Sequence, residues 1–309
     1  MLSAGWSAGY AVVLASRAVA GSPSFSGVAF FPAGWVAVLP AALSAAFCLA
    51  TGLGATRRWP PRRRRLLAWL GWAAGASMIA YCLLFWIDLT MIFMLPFGVD
   101  SRDQLVGLPL RSAGVAAGAL TLWCTATELR QVRSACDRCG RVHGLSPERR
   151  TEPSPWWAYA GAYVAVAGLA ARLSPALVEG LNLDGPGGAG FTIFFGLMVL
   201  AGTLLPLALA HRWGRVWPDW SPWAGQFVPR WLVLGPGVFM GVGLSAYFGV
   251  GGMTAMAVGA TPAGLGAVLE IGGYTLWGAG LLVASTSYYR LTRPECQGIQ
   301  TGLISDEAG

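Results

Sequence analysis

Residues 190–210 read GFTIFFGLMVLAGTLLPLALA and run straight into His211-Arg212-Trp213-Gly214-Arg215. The stretch holds no charge and matches the roughly 20 residues that a helix needs to cross the hydrocarbon core. An apolar run closed by arginines reads as a transmembrane helix ending on the cytoplasmic side. The same pattern recurs on both sides of it. Apolar stretches run from Ser3 to Ala20, Gly34 to Gly54, Leu66 to Ile87, Val106 to Thr127, Trp156 to Leu173, Gly190 to Ala210, Trp231 to Gly251 and Gly264 to Ser287. The expected fold is therefore an all-α integral membrane protein with eight transmembrane helices.

Composition agrees. Of 309 residues, 55% are apolar and 11% charged, against roughly 25% charge in a soluble domain. All 21 basic residues are arginine. Without lysine there is no Schiff base and no Walker A loop. Only His143 and His211 are present, too few for a multi-histidine metal site. A net charge of +7 would point to nucleic acid in a soluble protein. Here the arginines flank apolar stretches, so the expected partner is the lipid bilayer and no nucleic acid.

Arginine placement sets the orientation. Arg57, Arg58 and Arg62 to Arg65 lie between the second and third stretches. Arg130, Arg133, Arg138, Arg141, Arg149 and Arg150 lie between the fourth and fifth. Arg212, Arg215 and Arg230 lie between the sixth and seventh, and Arg290 and Arg293 follow the eighth. The opposite loops hold Asp100, Asp103, Glu179 and Asp184 with Arg102 alone. Both termini are expected in the cytoplasm, in a bacterial cytoplasmic membrane. Ala18-Val19-Ala20 has the form of a signal-peptidase site, but no basic segment precedes it and Arg17 adjoins it, so the first stretch is expected to be retained.

Parallels between the halves point to a tandem four-plus-four repeat. Arg58-Trp59-Pro60 is echoed by Arg215-Val216-Trp217-Pro218, and Met91 with Met94 by Met253 with Met256. The expected organisation is a first four-helix half (1–127), an Arg-rich cytoplasmic linker (128–154), a second half (155–290) and a cytoplasmic tail (291–309).

Charges inside apolar stretches are costly and mark function or ion pairing. Arg17, Asp88, Arg111, Arg172 and Glu270 fall inside or at the edge of these stretches, all at the expected outer end. Together they would form an outward polar site for an anionic or zwitterionic small molecule, the arginines gripping carboxylate or phosphate. The alternative is that they are ion pairs locking the bundle, or arginines reaching to the interface. By helical periodicity, Arg172 stands above Gly168, Ala165 and Gly161, a face suited to close helix contact. Glu270 shares a face with Gly266, Tyr274 and Trp277.

Cys48, Cys82 and Cys124 lie in apolar stretches and read as small core residues. Cys136-Asp-Arg-Cys139-Gly140-Arg-Val-His143 resembles one knuckle of a zinc ribbon. Cys136, Cys139 and His143 with Cys296 of the tail would complete four zinc ligands; a redox pair or a pair without a role are the other readings. The two Met-x-x-Met motifs suit Cu(I) or simple gap filling. Gly237, Gly241, Ser245 and Gly249, spaced by four, read as a packing stripe. Pro236 is expected to kink its helix, and Gly251-Gly252 to begin an outer loop. Trp213, Trp217, Trp220 and Trp223 with Arg212 and Arg215 read as an interfacial anchor.

The first functional expectation is a small-molecule transporter or permease using the five outer charges. The second is a membrane-embedded enzyme or metal/thiol protein using the cysteine loop, although no catalytic signature is present. The third is a non-catalytic immunity or assembly partner. In His211-Arg212-Trp213-Gly214-Arg215-Val216-Trp217-Pro218 and Val228-Pro229-Arg230-Trp231 the chain resembles uncharacterised polytopic membrane proteins of high-GC actinobacteria. That resemblance implies a membrane location and brings no activity.

Overall fold

A computed structural model describes residues 2–21, 35–53, 59–97, 105, 107–136, 140, 149–179, 189–261 and 264–295. Among the described residues the architecture is all-α, with a single isolated bridge between Val216 and Phe227. The helices are α1 (Leu2–Val19), α2 (Trp35–Gly52), α3 (Pro61–Tyr81), α4 (Phe85–Met94), α5 (Leu108–Val132), α6 (Trp156–Glu179), α7 (Ala189–Ala210), α8 (Arg230–Leu244), α9 (Met253–Ala257) and α10 (Leu265–Leu291). A π-helical segment, Ser245–Gly252, joins α8 to α9.

Helix occupies each of the eight apolar stretches. Three helical runs are long and apolar enough to cross a membrane by themselves: Thr192–Ala210, Arg230–Ala257 and Leu265–Leu291. Runs of this kind mark a membrane protein. α3 and α4 qualify together as a pair bent by 42°. The others are shorter, or dilute their apolar residues with Gly, Ser and a charge, as α1 does with Arg17. The helices at eight positions thus stand beside three or four qualifying spans.

The chain divides into two compact units, Met1–Ile92 with Ser101–His143, and Phe93–Asp100 with Gly144–Gly309. In the first unit α3 packs most extensively on α5, and α1 on α2. The α3–α5 seam is built of small residues. A Cβ on Gly75 would stand 2.8 Å from Leu122, and one on Gly118 would stand 2.8 Å from the Gly75 carbonyl oxygen. Such close backbone approach is how helices associate where lipid removes the usual hydrophobic drive. Tyr10, Leu14, Ala41, Met78, Cys82 and Ala117 fill the core beside it.

In the second unit the dominant pair is α6 with α10, and α8 lies on α10. Gly168 and Gly273 meet so closely that a Cβ on either would lie 2.6 Å from the other's carbonyl oxygen. The small face beneath Arg172 is therefore a helix seam, as periodicity predicts. The stripe of Gly237, Gly241, Ser245 and Gly249 likewise lies against α10, at Ser285, Leu282, Gly278 and Thr275. The tightest pair joins the third and fourth stretches in one unit, and the first and fourth in the other. The two units are not packed alike.

Two local expectations change, at the third stretch and at Gly251–Gly252. The third apolar stretch is broken at Cys82–Leu84, where no Pro or Gly stands. The helix carrying Pro236 continues through it to Ala257, and its departure from α geometry comes at the π segment. Gly251 and Gly252 belong to that segment because the run is held on α10, with Gly252 beside Ile271.

Candidate functional site

Arg17, Asp88 and Arg111 fall in one unit, Arg172 and Glu270 in the other. In the first, Asp88 sits in the first turn of α4, where the helix dipole favours a carboxylate. Arg111 rises from the first turn of α5, and its Nη1 donates to both Asp88 oxygens at 2.6 and 2.7 Å. Both side chains are buried, at 9% and 3% exposure. Gly107 leaves room for the guanidinium, which a Cβ there would meet at 2.7 Å. Next to this pair Tyr10 Oη lies 3.5 Å from Cys82 Sγ. Arg17 is half-buried in the last turn of α1, and its charge bears on Tyr81. This group is closed.

In the second unit the arrangement is open. The glycine seam brings α6 and α10 so close that a Cβ on Gly273 would stand 3.0 Å from the Cβ of Arg172. Arg172 Nε then donates to Tyr274 Oη at 2.7 Å. Its Nη2 lies 3.7 Å from Glu270 Oε1, with 22% and 50% of the two side chains exposed. That distance is beyond hydrogen-bond range, so the ion pair is loose. Glu270, Tyr274 and Trp277 fall on one face of α10 at spacings of four and three.

An aromatic wall backs the pair. The Tyr274 ring stacks on Phe248 at 3.9 Å and runs nearly parallel to Trp277 at 6.1 Å. Phe248 meets Tyr247 edge to face at 4.7 Å, and the charge of Glu270 bears on Tyr247. Tyr247 and Phe248 come from the π segment, a rare geometry that recurs at functional sites. The result is an arginine fork, a half-exposed carboxylate, two phenol hydroxyls and an apolar face within one unit. Such a set can take a carboxylate on Arg172, an ammonium or proton on Glu270, and an apolar body against the rings.

The structure also places charges that sequence reading assigned elsewhere. Arg64 Nε donates to Glu128 Oε1 at 2.6 Å, and both are largely buried. This pair ties the start of α3 to the end of α5. Arg215 is 1% exposed, and its Nη1 donates to the Glu152 carbonyl at 2.7 Å. Burial pushes its guanidinium below the ordinary arginine value. Tyr288 Oη donates to the Gly214 carbonyl at 2.9 Å, so this loop is buttressed from within. Trp213, Trp220 and Trp223 are exposed, Trp220 at 85%, as an interfacial anchor requires, while Trp217 packs against the core.

Of the four zinc ligands expected, Cys139, His143 and Cys296 lie outside the described residues, and Cys136 is half-buried. Among the described residues no group of three or more His, Cys, Asp and Glu is placed to hold a metal. Cys48 and Cys124 are in side-chain contact, a pairing that their distance in sequence conceals. Comparison with protein-family models, curated proteins and solved structures finds no match for this chain.

Proposed function

We propose that the chain is a transporter or permease of the bacterial cytoplasmic membrane that takes a small anionic or zwitterionic solute at Arg172, Glu270, Tyr247 and Tyr274. In this reading the eight helical stretches are eight spans with both termini cytoplasmic, and the cluster faces outward; the arginines beside the apolar stretches support that orientation. A tandem repeat is not part of the proposal, because the two units differ in their tightest helix pairs. Arg17, Asp88 and Arg111 close the first unit instead of meeting the solute.

The observation that carries the reading is the loose, half-exposed Arg172–Glu270 pair against an aromatic wall. An ion pair serving only to lock a bundle is expected at hydrogen-bond distance, with each group satisfying the other once both are buried, as in Asp88–Arg111. Membrane embedding is supported by the distribution of side chains. Trp69, Trp123 and Trp231 are at least 70% exposed, while Ser7, Ser44, Thr121 and Thr125 are fully buried. Large exposed apolar surface of this kind calls for lipid contact.

The test is uptake of a mixture of isotope-labelled amino acids and small carboxylates into proteoliposomes, read by mass spectrometry. At least one species should accumulate with the natural chain and fall at least tenfold with Arg172→Gln. No accumulation above protein-free vesicles, or equal accumulation with Arg172→Gln, would overturn the proposal.

A further inference from the structure

We propose that Cys48 and Cys124, in the first unit, are a redox-active dithiol that a lipid-soluble quinone oxidises to a disulfide. α2 and α5 bring the two side chains into contact. Hydroxyls make the two thiols unlike. Cys48 is 1% exposed, and its Sγ donates to Thr121 Oγ1 at 3.9 Å. Thr121 directs its own proton to the Ala117 carbonyl at 2.8 Å. Toward Cys48 it can only accept, so Cys48 is held as a thiol. Cys124 is half-buried, and Ser3 Oγ of α1 lies 3.2 Å from its Sγ. That hydroxyl can turn its proton to a thiolate as it forms, which an attacking sulfur needs. Cys124 is therefore the attacking sulfur and Cys48 the resolving one.

Access decides the co-reactant. The exposed residues next to Ser3, Cys48 and Cys124 in sequence are Leu2, Leu49 and Trp123, all apolar. A lipid-soluble oxidant reaches Cys124 over such a surface, and a charged disulfide from water does not. The product suits its surroundings as well. A disulfide is neutral, whereas a monovalent soft metal ion on two thiolates would bury a net charge.

In the reaction the Cys124 sulfur bonds a quinone ring carbon, and its proton goes to a quinone oxygen. The Cys48 sulfur then attacks the Cys124 sulfur. The S–S bond forms, the S–C bond breaks, and its electron pair returns to the ring. The Cys48 proton goes to the second quinone oxygen. Two thiols have become a disulfide, and the quinone has become a hydroquinone.

The experiment uses the full natural chain in mixed micelles, reduced and then freed of reductant without oxygen. Decylubiquinone is added, remaining thiols are alkylated, and peptides are read by mass spectrometry. The expected result is a Cys48–Cys124 linked peptide that forms as quinone absorbance falls. Rates are compared in a chain carrying Cys136→Ser and Cys139→Ser, so that the cysteine loop does not contribute. There, adding Cys48→Ser should stop release of hydroquinone and leave a quinone adduct on Cys124. Ser3→Ala should slow quinone loss at least threefold and Ser3→Thr should restore it, which separates the assigned role from a failure to fold. No linked peptide in the natural chain with quinone would overturn the proposal. So would a link formed with the water-soluble oxidant diamide and not with quinone, or an unchanged rate of quinone loss on adding Cys124→Ser.

Discussion

Asp88–Arg111 and Arg172–Glu270 join the same chemical groups near helix ends, and they differ in nearly every physical respect. The first is closed at 2.6 Å with both side chains under 10% exposed. The second stands at 3.7 Å with half of its carboxylate in the open. Glycine makes room in both, but to different ends. At Gly107 it admits the Arg111 guanidinium to a buried partner, whereas at Gly168 and Gly273 it draws two backbones together and leaves Arg172 at the edge of the seam. A closed pair contributes mainly to the fold, and an open one leaves donors and acceptors for a solute.

The sharpest way to break the comparison is to remove one carboxylate from each pair. Asp88→Asn leaves the Arg111 charge buried without its counter-charge and should cost about 3–5 kcal/mol. Unfolding in mixed micelles, followed by tryptophan fluorescence, measures it. A loss no larger than that from Glu270→Gln would erase the distinction. Glu128→Gln removes the partner of Arg64 in a site that is slightly less buried. Its cost should be about 2–4 kcal/mol in the same assay, with a protease cut appearing between α2 and α3 as the α3 end loosens. Gly168→Ala drives a methyl into the Gly273 carbonyl and should cost about 1–3 kcal/mol by overpacking. It should also reduce solute uptake, because it displaces Arg172 from Tyr274. The smallest effect on stability belongs to Glu270→Gln, expected within about 1 kcal/mol, while uptake falls. A large loss of stability with uptake intact would turn Glu270 into a structural residue.

Much of the helical layout is legible in the sequence, since apolar length alone locates helices at all eight stretches. The packing face below Arg172 is legible too, because Gly161, Ala165 and Gly168 recur at helical spacing. Glu270, Tyr274 and Trp277 can be assigned to one face for the same reason. What periodicity does not carry is the identity of partners across helices. Arg64 stands in a run of four arginines that reads as an orientation signal, so its pairing with Glu128 is hidden until α3 and α5 are set side by side. Position along the apolar stretches leads to one expected depth for all five charges, and packing divides them between two units.

Local geometry fails to show where tertiary contact decides it. The break at Cys82–Leu84 has neither Pro nor Gly to announce it. The run from Gly249 to Gly252 has the composition of a loop, and it is π-helical because α10 supports it. Tyr247 and Phe248 precede that run in the same π segment, Ser245–Gly252, so their place in the aromatic wall of the site follows from tertiary contact. Arg215 likewise looks like one more loop charge, and its burial follows from a carbonyl 63 positions earlier.

The central claim is that the Arg172–Glu270 group is open from outside while the Asp88–Arg111 group is closed, and thiol labelling tests it most directly. Native Cys82 is fully buried beside the closed pair and serves as the internal reference. Intact cells carrying Glu270→Cys are treated with a membrane-impermeant methanethiosulfonate, and labelled peptides are read by mass spectrometry. The account predicts rapid labelling at position 270 and none at Cys82. Labelling at 270 only after lysis, or equal labelling at Cys82, would contradict it.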